Sequence, residues 1–392
     1  MARLSRRSLL AAVTASGALT LAPRSAALAG TQDRRFLLII LRGGLDGLSA
    51  LPPVGDPAFA SHRPESLAAR PLSLAGQSDF ALHHALPALQ RIWNAGQLIG
   101  LHAVGTPYRD RSHFDAQNVL ESGYRTPRGS ANGWLNRALV AMGGETGLGM
   151  AVGPRAPLVL TGPAPVGSWS PNTLPGTEDS TLERIAALWA NDPLLATHIE
   201  QALDQQTMTA NLGRSAGDVR KTRRSIVPLL KGAGDLLANP AGPRLMALDN
   251  AGWDTHVRIE GNLSRKLTDL NEGLESLISR LQPVWQQTAV LMVTEFGRTV
   301  ALNGNAGTDH GTGGAAFLFG GAVNGGRIIS DWPGLSQRDL LDGRDLRPTV
   351  DLRHVFRSTL HDHMQLSRSA LDDTVFPDDL GHRGPLRDLF RS

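Results

Sequence analysis

The stretch from Thr288 to Gly321, TAVLMVTEFGRTVALNGNAGTDHGTGGAAFLFGG, contains two short apolar runs separated by a polar, glycine-rich loop. The runs Ala289–Val293 and Ala315–Phe319 are unbroken and bounded by Gly or Thr, which is typical of strands buried on both faces of a parallel sheet. Charged side chains are not expected in a packed core, and the loop carries Glu295, Arg298, Asp309 and His310. The loop therefore predicts a metal or anion site beside a buried strand.

A second apolar run is predicted to form the first, central strand. Phe36–Leu41 has six consecutive apolar residues and is followed by Gly43, Gly44 and Asp46. The glycines allow a sharp turn. Asp46 is therefore expected at the carboxyl end of the strand, where open α/β sheets form their sites. The alternative is that Asp46 only caps the following segment.

A third strand and a long helix are predicted in the second half of the chain. Arg244–Leu248 is a short apolar run that leads into Asp254 and His256. Leucines then recur at steps of three and four from Leu263 to Leu281, as in an amphipathic helix packed on a sheet. This order of strand, polar loop, helix and strand is that of a right-handed crossover unit. The sequence thus predicts an α/β fold with a mostly parallel central sheet.

Ser112 is expected to begin a helix that follows another strand, Leu98–Val104. Asp115 lies three residues after it, as in a capping box, and Gly123 is expected to end the helix. Ser112 is then an N-cap. The same place is suited to a hydroxyl that attacks an anionic substrate, because the N-terminus of a helix is a positive region. Both roles are compatible.

The beginning of the 392-residue chain has the pattern of an export signal. Arg6-Arg7 precede a small, apolar run, and Ala27-Leu28-Ala29 supplies a cleavage pattern. We expect residues 1–29 to be a twin-arginine signal peptide, with the twin-arginine translocase as a partner during export. The remaining domain, 30–392, is expected to be periplasmic or secreted, with no stable membrane span.

Composition limits the possible partners and metal ligands. Residues 1–29 contain four arginines and no acid, so the formal charge of +3 becomes 3 − 4 = −1 without them, and no nucleic-acid binding is expected. Cysteine is absent, so a metal has to be held by oxygen and nitrogen ligands. Carboxylates with imidazoles suit Zn or Mn, and all-oxygen subsets suit Mg or Ca.

The middle of the chain carries few candidate chemical groups. Ala156–Thr161 is expected to be a strand, and residues 163–176 a proline-rich loop. The segment at about 178–240 is expected to be a helical insertion that covers the sheet or forms a lid.

The chain resembles the exported bacterial family named domain of unknown function 1501, which is placed with the alkaline phosphatase and sulfatase superfamily. The resemblance implies a three-layer α/β/α fold, two metals and a Ser or Thr nucleophile. The motifs that carry it are the twin-arginine signal, Leu41-Arg42-Gly43-Gly44-Leu45-Asp46-Gly47, Arg111-Ser112-His113-Phe114-Asp115-Ala116-Gln117, Gly252-Trp253-Asp254-Thr255-His256, Thr294-Glu295-Phe296-Gly297-Arg298-Thr299 and Gly307-Thr308-Asp309-His310-Gly311.

The resemblance also implies roles for the matching residues. Asp46 corresponds to the acid that ligates the metal next to the nucleophile, and Ser112 falls where the nucleophile opens a helix. Asp254 and His256 resemble the Asp and His pair of the other metal.

Two assignments remain for the end of the site. In one, Asp309 and His310 are an adjacent ligand pair. In the other, which we favour, Glu295 is the strand-end acid and His310 a later, isolated ligand, because Glu295 directly ends a strand. Phe296 then stands where the superfamily has a histidine, and Arg298 is expected to supply positive charge instead.

These expectations predict a metal-dependent hydrolase of phosphate or sulfate esters, with an anionic ester or a glycan as its partner. Ser112 is expected to attack the ester, and Arg298, Arg42 or Arg111 to bind its anionic oxygens. The alternative is a catalytically weakened or inactive member of the family, which binds a partner or glycan during the assembly of cell-surface material. The missing histidine supports this alternative.

Overall fold

The structure is a computed structural model, and it describes residues 33–63, 70–128, 132–171, 225–378 and 386–391. The chain divides into a unit of residues 1–34 and a second, compact unit, Arg35–Ser392. The predicted signal peptide lies outside the described residues, and so does most of the predicted helical insertion. The described end of that insertion contains one helix, Val227–Ala238.

The described strands and helices alternate along much of the chain. The strands are β1 Arg35–Arg42, β2 Leu72–Leu74, β3 Gln77–Leu82, β4 Leu98–Gly105, β5 Gly149–Val152, β6 Val166–Trp169, β7 Leu245–Ala251, β8 Thr288–Val293, β9 Gly314–Phe319, β10 Arg327–Ile329 and β11 Val350–Asp351. The α-helices are α1 Gly47–Ala50, α2 Phe59–His62, α3 Pro87–Asn94, α4 His113–Ser122, α5 Trp134–Ala141, α6 Val227–Ala238, α7 Ile259–Arg280, α8 Leu352–Ser358 and α9 Arg368–Ala370.

The central sheet places β1 in its middle. The strand order is β10-β4-β9-β8-β1-β7-β5-β6, and β11 also pairs with β4. β1 runs parallel to both neighbours, so that Phe36 lies opposite Leu245 on β7 and Ala289 on β8. The prediction of a mostly parallel sheet with this strand at its centre is confirmed.

Both faces of the sheet are covered, which makes the fold a three-layer one. Alternate residues of β1 belong to two different cores, because side chains of a strand point to opposite faces. Leu37, Ile39 and Leu41 pack in the core formed with α3, α6 and α7. Phe36, Leu38 and Ile40 pack in the core formed with α5 and α8.

Three local predictions differ from the structure. β9 runs antiparallel to β4 and β8, because the loop after β8 returns without a crossover helix. Its burial on both faces looks the same in either direction. The segment Ala156–Thr161 contains a 3-10 turn, Leu158–Leu160, after Pro157 instead of a strand. The short strands β5 and β6, four residues each, were not recognised, and β6 at the sheet edge lies within residues 163–176, which were expected to form a loop.

None of the helices in the described part of the chain combines the length and the apolar composition needed to cross a bilayer.

Candidate metal centre

Strands β4, β7 and β8 run in the same direction and end at one edge of the sheet, where they bring distant residues together. Asp254 follows β7, Glu295 follows β8, and His113 opens α4 after β4. His310 lies on the loop that joins β8 to β9. Because parallel strands share the edge at which they end, these side chains lie close together there.

The side chains of His113, Asp254, His256 and His310 form what we call the histidine cluster. Nε2 of His310 lies 3.0 Å from Nε2 of His113 and 3.0 Å from Nε2 of His256. The Asp254 carboxylate lies 3.0 Å from His256, 3.4 Å from His310 and 3.5 Å from His113. The ligands of one tetrahedral zinc, at a bond length of about 2.0–2.1 Å, are separated by about 3.3 Å, close to these distances. The ligand atoms of His113, Asp254 and His310 all lie within 4.8 Å of one another, whereas His256 is outside this set and reaches it through His310 and Asp254.

The other ring nitrogen of each histidine faces an acceptor. Nδ1 lies 2.8 Å from Glu295 in His113, 3.1 Å from Asp309 in His256, and 3.1 Å from the Arg111 carbonyl in His310. In a neutral ring Nδ1 then carries the proton, which leaves Nε2 with a lone pair. Three such lone pairs and a carboxylate repel one another at these distances unless a proton or a metal cation lies between them. The donor set therefore fits a bound metal.

The hydrogen bonds to Nδ1 are those that orient metal-ligating histidines in proteins. Glu295 and Asp309, which we expected to be ligands, lie behind the histidine rings instead. The sequence left open whether Asp309 or Glu295 binds a metal together with His310. In the structure His310 faces the cluster, whereas Glu295 accepts a hydrogen bond from His113 and Asp309 accepts one from His256.

Glu295 is buried among donors. Its carboxylate accepts hydrogen bonds from His113, from Gly43 N at 2.8 Å and from Gln117 at 3.0 Å, and it is 1% exposed. Burial acts to raise the pKa of Glu295, but the hydrogen bonds from His113 and Gln117 outweigh it and lower the pKa to about 2. Glu295 is therefore ionised. It requires a proton on the histidine nitrogen that faces it.

Two histidines of the cluster have pKa values shifted in opposite directions. The hydrogen bond to Glu295 raises the pKa of His113, although burial opposes it. Burial lowers the pKa of His310, and the neighbouring His113 lowers it further. His310, the ring in the middle of the cluster, is thus held in the neutral form that binds metals.

Arg298 holds Asp254 rather than offering a free anion site. It is 2% exposed, and all three guanidinium nitrogens donate: to Asp254, to the carbonyl of Gly43, and to Thr308 through its hydroxyl and its carbonyl. Burial acts to raise the pKa of Asp254, but the bond and charge of Arg298 outweigh it and lower this pKa. The expected contact of Arg298 with substrate oxygens is not available in this arrangement.

Asp46 lies apart from the histidine cluster in its contacts. It is fully buried, and one carboxylate oxygen caps α1 by accepting from Ser49 N at 2.9 Å. The other oxygen pairs with the buried Arg63 at 2.9 Å. Since both oxygens already accept hydrogen bonds, Asp46 is placed as a structural cap and ion pair, and the expected ligand role does not fit it.

Ser112 is the N-cap residue of α4 and lies between two contacts of the cluster. The Arg111 carbonyl before it binds His310, and the His113 ring after it belongs to the cluster. The Ser112 side chain makes no capping hydrogen bond to this described helix, unlike the predicted capping box. The residue is half-buried and directly precedes His113 in the sequence.

Glycines allow the loops of the site to pack closely. Gly43 has a φ of +118°, and a Cβ there would lie 2.5 Å from Asp254 N. A Cβ on Gly307 would lie 2.1 Å from the backbone of His256. The loops after β1, β7 and β8 therefore touch through backbone atoms, which a side chain at either position would prevent.

Phe296 occupies the position at which the resemblance implied a histidine. Its ring centroid lies 4.7 Å from that of His113 and 5.1 Å from that of His310. It forms an apolar wall of the cluster.

Within the described residues, His113, Asp254 and His310 are the one group whose ligand atoms all lie within 4.8 Å of one another, and His256 joins it through His310 and Asp254.

Sequence reasoning missed His113 as a member of the site. The residue lies in the quoted motif Arg111–Gln117, and the available signal was its position on the first turn of a helix that follows a strand.

Several solved structures are similar to this chain at low sequence identity. The C-terminal periplasmic domain of EcEptC from Escherichia coli is 12% identical with a TM-score of 0.39, covering 91% of this chain and 90% of that one. Ps i-CgsB in complex with k-i-k-neocarrahexaose is 11% identical with a TM-score of 0.44, covering 90% and 78%. The alkaline phosphatase of the Antarctic bacterium TAB5 is 8% identical with a TM-score of 0.35, covering 75% and 94%. Similarity at this level does not transfer a reaction from one protein to another.

A search of curated proteins found no match to the chain. A family model described as a protein of unknown function (DUF1501) matches residues 93–375, which include His113, Asp254, His256 and His310. The match spans well over half of the chain, and the chain therefore belongs to the DUF1501 family.

Proposed function

We propose that this protein is a metal-dependent hydrolase of phosphate or sulfate esters, exported in folded form through the twin-arginine pathway. The observation that carries the proposal is the convergence of three histidine Nε2 atoms and the Asp254 carboxylate, with a hydrogen-bond acceptor behind each ring. The export part rests on the Arg6-Arg7 signal pattern of the sequence.

Zinc is the ion that this donor set favours. Three imidazoles and one carboxylate suit Zn, and Mn is the second choice. Mg and Ca prefer ligand sets made of oxygen, so the three ring nitrogens argue against them. When bound, the ion would act as a Lewis acid towards the anionic oxygens of the ester.

The residues around the cluster have separate tasks in this proposal. Glu295 and Asp309 fix the orientation of His113 and His256, and Arg298 fixes Asp254. Ser112 is the proposed nucleophile: its oxygen bonds to phosphorus or sulfur while the bond to the alcohol breaks, and its proton balances the one taken up by the departing alcohol. Water then releases the acid and restores Ser112.

The test is a panel of phosphate monoesters, phosphate diesters and sulfate esters, assayed with zinc-loaded and manganese-loaded protein. Ser112→Ala should abolish turnover and keep the metal, because Ser112 is not a ligand. Asp254→Asn should lose both. Full activity of Ser112→Ala would remove this residue from the mechanism.

A second candidate is a binding protein without turnover, which acts in the assembly of cell-surface material. Phe296 favours it, because an apolar ring packs against His113 and His310 where a further ligand was expected. In this case the metal would be bound, and none of the esters would be hydrolysed by protein with full metal content.

A further inference from the structure

A cavity of about 320 Å³ lies beside the histidine cluster, between α4 and the ends of β1 and β7. Its wall includes Gln117, which donates to Glu295 at 3.0 Å, and Phe114, which directly follows His113. Gln117 and Glu295 therefore connect the wall of the cavity to His113 of the cluster. The volume is at the low end of the range for small-molecule sites, about 300–1,000 Å³, and suits a single ring.

Phe114 presents its ring to solvent at the wall of this cavity. The side chain is 88% exposed, more than any other large hydrophobic residue in the described part of the chain. Covering the face of a large aromatic side chain is favourable, so an exposed ring next to a cavity offers a ligand a stacking surface. The ring of Phe114 is available for stacking without any rearrangement of the core.

The polar part of the cavity has donors and acceptors but no net charge. Arg42 is fixed by Glu121 at 2.7 Å and by Asp249, and it donates to Gln117 at 2.9 Å. Arg155 is exposed and makes no hydrogen bond or ion pair with any described residue. The cavity is lined by two cations, Arg42 and Arg155, and by two carboxylates, Glu121 and Asp249, so its formal charges cancel.

These contacts hold Arg42 in place, so it is not free to bind the anionic ester group, although the sequence analysis had suggested that role for it. Asp249 is 28% exposed and uses only one carboxylate oxygen for Arg42. The other oxygen and the guanidinium of Arg155 are left to meet a ligand. Sugar hydroxyl groups match such a pair, because each hydroxyl both donates and accepts a hydrogen bond.

We propose that this cavity binds the alcohol part of the ester and that this part is a neutral sugar ring. The C–H face of the ring stacks on Phe114, and its hydroxyls bond to Asp249 and Arg155. A second anionic group would gain little from a cavity whose charges cancel. This substrate class rests on the proposed hydrolase function, since it places the ester group at the histidine cluster.

The first experiment measures binding without turnover. Metal-free protein is titrated with free glucose, galactose and N-acetylglucosamine, followed by saturation-transfer NMR, with adenosine as a competing ring. We expect at least one sugar to bind, and Phe114→Ala and Arg155→Ala each to weaken it by about tenfold. Val140→Ala, which removes an exposed apolar side chain on α5 away from the cavity, is the control and should not change binding.

The second experiment compares hydrolysis of hexose phosphates and hexose sulfates with that of glycerol phosphate. Phe114→Ala should lower kcat/KM for a hexose ester about tenfold more than for glycerol phosphate. Sugar binding with no turnover of any ester would overturn the hydrolase function and keep the sugar site. Absence of sugar binding, tighter binding of adenosine, or equal losses on both substrates would overturn the sugar site.

Discussion

Oε1 of Glu295 lies 2.8 Å from Nδ1 of His113, and this contact determines which nitrogen of His113 faces the histidine cluster. The carboxylate also accepts hydrogen bonds from Gly43 N and Gln117, so it cannot turn away without losing them. Glu295, a strand-end acid that we expected to bind a metal directly, thus orients a histidine of the cluster instead. The cluster depends on this acid for the direction of a ligand lone pair.

Replacing Glu295 with Gln should weaken metal binding by about 10–100-fold, because the neutral amide no longer enforces the proton on Nδ1 of His113. Competition with a chromophoric chelator measures the affinity. Glu275→Gln is the matched control, since Glu275 is an exposed carboxylate paired with Arg91 at the surface. Unchanged affinity in Glu295→Gln would show that the contact does not orient a ligand.

Asp46→Asn should reduce stability without changing metal content. The amide oxygen still caps α1, but the buried Arg63 loses its counter-charge, which costs about 3–5 kcal/mol in buried pairs. Urea unfolding gives the change in the free energy of unfolding, and elemental analysis of the folded protein gives the metal content. Loss of metal from folded Asp46→Asn protein would restore Asp46 as a ligand.

Arg111 combines an unusual backbone conformation with a contact to the cluster. Its φ is +63°, its carbonyl accepts from His310, and its side chain pairs with the buried Asp345 at 2.7 Å. Glycine adopts this backbone conformation without strain, whereas in alanine the conformation costs about 1 kcal/mol.

We therefore expect Arg111→Gly to bind metal more tightly than Arg111→Ala, although both lose the ion pair with Asp345. Isothermal titration with zinc compares the two variants. Equal affinities would mean that the backbone of Arg111 does not set the orientation of His310.

His102 gives the stability of the protein a dependence on pH. It is fully buried on β4, and burial lowers its pKa from 6.5 to about 4. Below pH 6.5 the unfolded chain takes up a proton that the folded chain refuses. The stabilisation present above pH 6.5 is therefore lost as the pH falls towards 4, by about 3 kcal/mol.

His102→Gln should flatten the loss of stability between pH 6.5 and 4, whatever its effect at neutral pH. Urea unfolding of metal-free protein at several pH values measures the slope, and the exposed His84→Gln is the control. An identical slope in His102→Gln and in the unaltered protein would contradict the assignment.

The central strands and their polar ends were predictable because each has a local signature. Phe36–Leu41 and Ala289–Val293 are unbroken apolar runs, and both form strands at the middle of the sheet. Asp254 and Glu295 follow such runs, so their position at one edge follows from parallel pairing. The direction of β9 was not predictable, since burial on two faces does not depend on direction.

The division of labour among the polar residues was not predictable from spacing. Whether Glu295 faces a metal or a histidine depends on the position of α4, which is distant in sequence. Asp46 has the same local pattern as Asp254, yet Arg63 on another segment claims its carboxylate. His113 lacks a strand-end position, and its role depends on the packing of α4 beside the loop that carries His310.

The most direct test is the metal stoichiometry of the full chain after purification without chelator and equilibration with zinc. Inductively coupled plasma mass spectrometry should find close to one zinc per chain in the unaltered protein and in the His84→Ala control. Asp254→Asn and His310→Ala should each have almost none while remaining folded by circular dichroism. Unaltered protein that stays free of metal, or full zinc occupancy in both variants, would contradict a metal centre at the histidine cluster.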